Sequence, residues 1–297
     1  MPFPRLLIIG HGYVGSTLAR DLNELGFPMA AVSRLCADHL PYPVLAADIS
    51  SKESVRSLPE SLPYSKPDVI VHCASSSRGG PEAYRAVFIN GLYHLSETFQ
   101  GVPVVFTSSS SVYGQTDGSL VNERSDTSPD RETSRLLCEA EAIARAGGGI
   151  ALRLAGIYGP GRSVHLKKML EGTATIDEGV ISRHLNQIHR DDAAGAIAHL
   201  IATGVEQLRG SLYNVVDDVP LTQRQCYEAL ATFFDLPVPP DAPPALDRKR
   251  AWTDKIISNA ALKATGWRPR YPSFLDAVKN DAHLVPSIRD QIAAEVL

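Results

Sequence analysis

The chain is poor in several things that would mark particular classes of protein. Among 297 residues there are 4 cysteines, and Cys36, Cys73, Cys138 and Cys226 form no CxxC pair and no zinc spacing. This excludes a disulfide scaffold and predicts reduced, buried thiols in a cytoplasmic protein. Net charge is scarce too. A balance of 29 Lys+Arg against 33 Asp+Glu gives −4, which argues against a generally basic, nucleic-acid-binding surface. No apolar run approaches the roughly 20 residues that span a bilayer, so no membrane segment is expected. The opening MPFPRLLIIG has one Arg, a very short apolar run and no small-residue cleavage site. It does not read as a signal peptide. Repeats and low-complexity tracts are lacking.

What remains is an ordinary folded composition, 44% apolar and 21% charged, which excludes wholesale disorder. The length suffices for a large core, or for a core plus a lobe.

Short apolar runs alternate with helix-period segments. The runs are Arg5–Gly10, Met29–Ser33, Val44–Ala46, Asp68–Ala74, Val102–Thr107 and Ile150–Leu154. Between them lie the amphipathic stretches Gly15–Leu25, Glu82–Thr98 and Thr133–Ala146. Apolar runs without polar alternation are strands covered on both faces, the strands of a parallel sheet flanked by helices. The expected fold is therefore α/β, a Rossmann-type doubly wound parallel sheet. The rhythm weakens after Gly159. Asp191–Thr203 predicts a further helix, Ser211–Val216 a strand, and Asn259–Thr265 and Pro272–Ala282 two more helices. The Pro-dense PVPPDAPP at 237–244 reads as a spacer. The expected division is a dinucleotide-binding domain over residues 1–160, also using about 186–216, and a smaller C-terminal substrate lobe made mainly of 161–297.

The segment IIGHGYVGSTLARDL carries the clearest chemistry. Gly10, Gly12 and Gly15 form GxGxxG between a strand and a helix. The first glycine permits a tight turn, the second lets the backbone approach a diphosphate, and the third lets helix pack on strand. The helix N-terminus then offers unpaired N–H groups to the phosphates. At the end of the second strand, an acidic residue would hold a ribose 2′-hydroxyl. Here stand Ser33 and Arg34, with no carboxylate before Asp38. An Arg fork matches a 2′-phosphate, so NADP is favoured over NAD. The alternative for Arg34 is a solvated loop charge. Asp48 either reaches an adenine edge or caps the following helix.

In order along the chain stand GHGYVG (10–15), AADIS (46–50), VHCAS (71–75), FIN (88–90), TSSSSVYG (107–114), LRLAGIYGPGR (152–162), IHRDDAAGAI (188–197), YNVVDD (213–218) and TGWRP (265–269). This series resembles the extended short-chain dehydrogenase/reductases, the NAD-dependent epimerase/dehydratase group. The resemblance covers almost the whole chain. It implies a cofactor cradle of Gly10, Gly12, Tyr13, Val14, Gly15, Ser33, Arg34, Asp48, Ile49, Cys73, Ala74 and Ser75. It also implies that Ser109 hydrogen-bonds the reacting oxygen of a substrate, and that Ser111, Gly156 and Arg162 lie on the substrate side.

The same resemblance predicts a YxxxK pair on the next helix, in which Tyr exchanges a proton and Lys lowers its pKa. The pair is missing. The family's Lys precedes a Glu by four residues, so Glu139 places Arg135 in the Lys slot and Arg131 in the Tyr slot. No Tyr stands between Tyr113 and Tyr158. Arg135 can hold a ribose but not exchange a proton at neutral pH. Candidates for a replacement acid/base are Tyr113, Glu123, His165 or a substrate group; the alternative for each side chain is structural.

Other residues carry two readings as well. Arg162, Arg183 and Arg190 meet an anionic substrate or are solvated. Asn90 lies near the active site or is a buried polar group satisfied by backbone. His184 and His189 stand near Asp191 and Asp192 but make no metal set. Leu154–Ile157 offers no side-chain hydrogen bonds where nucleotide-sugar enzymes of the family often carry Asn. Two functions fit. One is an NAD(P)-binding oxidoreductase or epimerase-like enzyme with non-standard acid/base residues, acting on a small polar substrate of which a nucleotide sugar is one class. The other is a non-catalytic NADP-responsive binding or regulatory protein. A homodimer through Glu82–Thr98 and Thr133–Ala146 is compatible with the family pattern.

Overall fold

The computed structural model describes residues 3–35, 37, 39–77, 79–127, 131–178, 183–243 and 253–296. Cys36, Asp38 and Pro244 lie outside the described residues. The chain divides into two compact units. The first comprises Met1–Val112, Thr127–Leu154 and Ala193–Tyr213; the second comprises Tyr113–Asp126, Ala155–Asp192 and Asn214–Leu297.

The first unit is built on a parallel sheet. Its strands begin with β1 (Leu6–Ile9), β2 (Met29–Ser33), β3 (Val44–Ala46), β4 (Val69–His72) and β5 (Val104–Ser109). After β6 (Ser119–Val121) come β7 (Ile150–Leu154), β8 (Gly156–Tyr158), β9 (Ile176–Asp177), β10 (His184–Leu185), β11 (Gln187–His189) and β12 (Leu212–Val215). The sheet order is β12-β7-β5-β4-β1-β2-β3, and the pairs from β3 through β7 are parallel. Leu6 to Ile9 are buried throughout, which is why that segment reads as an unbroken apolar run, and Ile150 to Leu154 are equally buried although Arg153 interrupts the run.

Helices flank the sheet. They are α1 (Tyr13–Glu24), the short α2 (Lys52–Arg56), α3 (Leu58–Ser61) and α4 (Pro81–Tyr84), then α5 (Gly91–Thr98) and α6 (Glu132–Ala146). Between α4 and α5 the expected continuous helix contains a π-helical stretch, Arg85–Asn90. Such wide turns leave carbonyls to be satisfied from outside the helix. His72 does this, with Nε2 donating to the Val87 carbonyl at 3.1 Å. Burial drives the His72 pKa down to about 4, so the ring is neutral.

The seventh helix, α7 (Val164–Leu170), lies in the second unit, and α8 (Arg190–Thr203) leads back to the first. The rest of the second unit contains β13 (Leu221–Thr222), α9 (Gln223–Phe234), β14 (Asp241–Ala242), β15 (Lys255–Ile257), α10 (Ala260–Ala264), α11 (Phe274–Asn280) and α12 (Leu284–Val296). Its strands form two-stranded ladders, β10-β13, β11-β8, β14-β9 and β15-β6. The Pro-rich spacer thus contributes a short strand, because Asp241 and Ala242 pair with Ile176 and Asp177. The unit has its own core, including Tyr158, Leu166, Ile176, Tyr227, Phe274 and Ile288. Asp192 accepts the backbone N–H groups of Arg270 (2.5 Å) and Tyr271 (3.1 Å), fixing the chain before α11. Among the described residues no helix is long and apolar enough to cross a membrane.

A buried polar cluster braces the end of β5. Glu141 on α6 accepts from the Ser108 hydroxyl at 2.5 Å and forms an ion pair with Arg153 of β7 at 2.7 Å. Both charged side chains are almost wholly buried. Removing one partner leaves the other charge unpaired in the interior, at a cost of about 3–5 kcal/mol. Glu141→Leu is therefore expected to lower unfolding free energy by that amount in denaturant titration. Adding Arg153→Met is expected to restore part of the loss; a single variant of unchanged stability contradicts the assignment.

Candidate dinucleotide cradle and its surroundings

The strand order reverses between β1 and β4, and ligands bind at the carboxyl ends of strands at such a switch. Ile9 and His72 are register partners, so Gly10 and Cys73 leave the sheet side by side. Gly10 has φ +100°, and a Cβ there would lie 2.5 Å from the Ala74 nitrogen. Only glycine fits both constraints. A Cβ on Gly15 would land on the Gly10 carbonyl oxygen, so the first turn of α1 also requires glycine.

Gly12 differs from both. It is exposed, has φ −97°, and a Cβ on it would meet nothing within 4 Å. Nothing in the protein requires glycine there. The open space in front of it is the room a diphosphate needs for close backbone approach. Gly12 is the N-cap of α1, with no side-chain cap and no acidic residue in the first turn. Tyr13, half-buried, and Val14, buried, begin that turn. The helix thus presents uncapped N–H groups and the positive end of its dipole to this space.

His11 bonds through Nε2 to the Tyr42 hydroxyl at 3.0 Å. Burial lowers its pKa, so the imidazole is neutral and adds no charge to the cradle.

The other walls are equally specific. Ser33 ends β2, and its hydroxyl accepts from the Leu35 N–H. Arg34 is exposed and donates to Ser77 Oγ at 3.1 Å. Asp48 is not the cap of the following helix. Its Oδ1 accepts from the Ser50 hydroxyl (2.6 Å) and N–H (2.9 Å), while Ser51 caps α2. Those Ser50 bonds, with the nearby Arg34 charge, hold the Asp48 carboxyl below the usual carboxylate range. Ile49 is buried, and its carbonyl accepts from His94 Nδ1 at 3.1 Å. Cys73 packs under the loop, and burial pushes its thiol up to about 12, which makes it inert. Ala74 closes on Gly10, and Ser75 Oγ accepts from the Ser77 N–H at 3.2 Å.

At the end of β5, Ser109 accepts the Ser111 N–H at 3.2 Å. That uses an acceptor position and leaves the hydroxyl hydrogen available to a third group. Ser111 itself is exposed, and its carbonyl accepts from the buried Ser134 hydroxyl at 3.2 Å. Arg131 lies just outside α6 with extended backbone, and Arg135 is exposed on the first turn. The carboxylate buried on this helix is Glu141, whereas Glu139 is exposed. Counting back four and eight residues from Glu141 gives Leu137 and Thr133, so neither spacing supplies a Tyr–Lys pair. Asn90 is exposed, which excludes the buried polar reading for it.

The second unit holds the remaining candidates. Tyr113 is fully buried, with its hydroxyl 2.9 Å from both the Asn122 carbonyl and Asn214 Oδ1. Glu123 accepts the Asn214 N–H at 2.7 Å, and His165 Nδ1 lies 3.1 Å from the Tyr227 hydroxyl. All three side chains are thus engaged in internal bonds. Gly156 donates its N–H to the Asn186 carbonyl at 3.0 Å, and a Cβ on it would crowd that oxygen at 3.1 Å. Arg162 is exposed at the Gly159–Arg162 turn. Arg183 pairs with Asp177 and Arg190 with Asp191. His184 bonds Asp254, and the buried His189 bonds Asp281.

The two kinds of glycine predict opposite outcomes. Gly10→Ala is expected to destabilise the protein by at least about 1–3 kcal/mol, because the backbone is strained and the space is filled. Gly12→Ala is expected to stay within about 0.5 kcal/mol of the parent. Thermal melting of both variants checks this; equal losses contradict it.

The model of the NAD dependent epimerase/dehydratase family matches residues 6–216. Protein YeeZ of Escherichia coli K12 is 27% identical over 282 residues, covering 90% of this chain and 96% of that protein. Among solved structures, the UDP-glucose 4-epimerase of Thermus thermophilus in complex with NAD superposes with TM-score 0.76 at 22% identity, over 96% of this chain and 99% of that one. The UDP-glucose 4-epimerase of Stenotrophomonas maltophila, with bound NAD and formylated UDP-arabinopyranose, superposes with TM-score 0.80 at 19% identity, over 98% and 99%. Those two likenesses establish the fold. The family match spans most of the chain and includes the glycine loop, the serine strand and the segment leading into α8. The chain belongs to the NAD dependent epimerase/dehydratase family.

Proposed function

We propose that this protein is a nicotinamide-dinucleotide-dependent enzyme of oxidoreductase or epimerase type, taking NADP(H) in preference to NAD(H) and acting on a small polar, anionic substrate. The observation that carries the proposal is the open space at Gly12, in front of an uncapped helix N-terminus and between two glycines that the fold itself requires. The residues present fit the dinucleotide. The backbone of Gly10, Gly12, Tyr13, Val14 and Gly15 would hold the diphosphate. Ser33 and Arg34 would take a ribose 2′-phosphate, Asp48 and Ile49 the adenine, and Cys73, Ala74 and Ser75 the facing wall.

A nicotinamide ring supplies a carbon that gives or accepts hydride. Ser109 donates its hydroxyl hydrogen to the substrate oxygen, and Arg135 contributes positive charge and a ribose contact. Ser111, Gly156 and Arg162 are the proposed substrate contacts. Proton exchange falls to the substrate or to a group outside the usual pair.

A second reading, a non-catalytic NADP-responsive regulatory protein, is favoured by one observation. The Tyr113 hydroxyl is closed between two acceptors in the interior, so the tyrosine near the serine strand is not positioned to exchange a proton with solvent or substrate.

Calorimetric titration with NADP⁺ and NAD⁺ tests the cofactor assignment. A charged hydrogen bond contributes about 1.5–3 kcal/mol, so Arg34→Ala is expected to weaken NADP⁺ binding roughly 10- to 100-fold and leave NAD⁺ unchanged. Tighter NAD⁺ binding overturns the preference, and absence of binding overturns the proposal. Turnover separates the two functions. Ser109→Ala is expected to lose about 10²-fold or more in kcat, by analogy with loss of an oxyanion donor. Cofactor binding without oxidation or reduction across a carbonyl and alcohol panel supports the regulatory reading.

A further inference from the structure

In the second unit one buried cation has no ion-pair partner among the described residues. Lys255, the first residue of β15, is 5% exposed. Its ammonium donates to the Thr253 hydroxyl at 2.9 Å and makes no ion pair among the described residues. An ammonium has three donors, and here one neutral hydroxyl takes one of them, while the Asp254 carboxylate acts on the charge without forming an ion pair. The carboxylate next to it in sequence is committed elsewhere. Asp254 Oδ1 accepts from the His184 N–H at 2.9 Å and lies 2.8 Å from His184 Nδ1. Successive residues of an extended segment also face opposite sides. Desolvation outweighs the pull of the Asp254 charge and draws the Lys255 amine down to about 8. A fold keeps such a charge at a cost, and an anion delivered by a ligand offsets it.

The surroundings tie this lysine to a proposed substrate contact. Asn186 holds the edge of β15, donating through Nδ2 to the Lys255 carbonyl and accepting the Ile257 N–H at Oδ1, both at 2.9 Å. The carbonyl of the same Asn186 accepts the Gly156 N–H. One residue thus fixes both the lysine strand and the glycine. Of the arginines considered for an anionic substrate, Arg183 is paired with Asp177 and Arg190 with Asp191.

We propose that Lys255 is the anion anchor of the second unit, its ammonium receiving a carboxylate or phosphoryl oxygen of the substrate. This rests on the reading of the protein as one that takes an anionic substrate, and it deepens that reading by naming the group that receives the charge.

The test is made in a Gly12→Val background, so that added anions cannot report through the glycine loop. Thermal melting is followed in sodium phosphate and in sodium malonate, against sodium chloride at matched ionic strength. With Lys255 present, the melting temperature is expected to rise saturably with at least one of the two anions. Lys255→Met is expected to weaken that response at least tenfold, and Lys255→Arg to retain part of it. Without anion, Lys255→Met is expected to melt at or above its parent, because it removes a buried charge whose desolvation outweighs the attraction of Asp254. A response to phosphate alone identifies a phosphoryl group, and one to malonate alone a carboxylate. Equal responses with and without Lys255, no response in the parent, or a Lys255→Met protein that melts lower with and without anion overturns the proposal. NADP⁺ titration of Lys255→Met with Gly12 intact keeps the two readings apart. Unchanged cofactor affinity is expected there, whereas failure of the wild type to bind dinucleotide bears on the cofactor assignment and leaves the anion result standing.

Discussion

The backbone of Gly10 lies so close to that of Ala74 that no side chain fits between them. Much of the first unit depends on that approach. It can exist only where two neighbouring parallel strands leave the sheet together, and β1 and β4 do so because the strand order reverses between them. The chain turns at once into α1, and the N-cap position falls on Gly12, which has no side chain to cap the first turn. The uncapped N–H groups are the result. The feature that makes the loop sterically tight also makes it electrostatically receptive to phosphate. Gly12 then stands apart as a glycine that neither a close neighbour nor a positive φ requires.

The chemistry beyond the cradle is organised differently from the family pattern. The usual proton-exchanging tyrosine has no counterpart, whichever glutamate on α6 sets the spacing. Glu141 is engaged with Arg153 and Ser108, an arrangement that stiffens the end of β5 just before Ser109. The serine is therefore held firmly even though its customary partners are missing. Positive charge is available from Arg135 in the first unit and from Lys255 in the second, and neither is paired with a carboxylate among the described residues.

Much of the first unit was legible in the residues. Leu6–Ile9 is a fully buried strand, and an unbroken apolar run admits few other readings, while Ile150–Leu154 is as fully buried with its one charge, Arg153, paired to Glu141. Glu132–Ala146 begins one residue before the amphipathic pattern suggests. The strand ending at Ser109 runs two residues beyond the apolar stretch, because ladder pairing with β7 carries Ser108 and Ser109 into it. Serine hydroxyls conceal a strand from hydrophobic periodicity. The π-helical stretch was not legible, since the bond to its Val87 carbonyl comes from His72, a residue on a strand 13 positions before Arg85. The two-residue ladders of the second unit are too short to carry any period, and the pairing of Asp241–Ala242 with Ile176–Asp177 lies inside what reads as a spacer. Lys255 was missed for a related reason. Nothing in DKII shows that the aspartate hydrogen-bonds His184 and makes no ion pair with the lysine.

The account stands or falls on whether the amides at the start of α1 receive the phosphates of a dinucleotide. Backbone amide ¹H–¹⁵N shifts recorded as NADP⁺ is added read this directly. The predicted result is saturable movement concentrated at Gly10 to Gly15, with a smaller set at Arg34 and Ala74. Shifts confined to other segments, or none at ligand concentrations well above those in the cell, would contradict it.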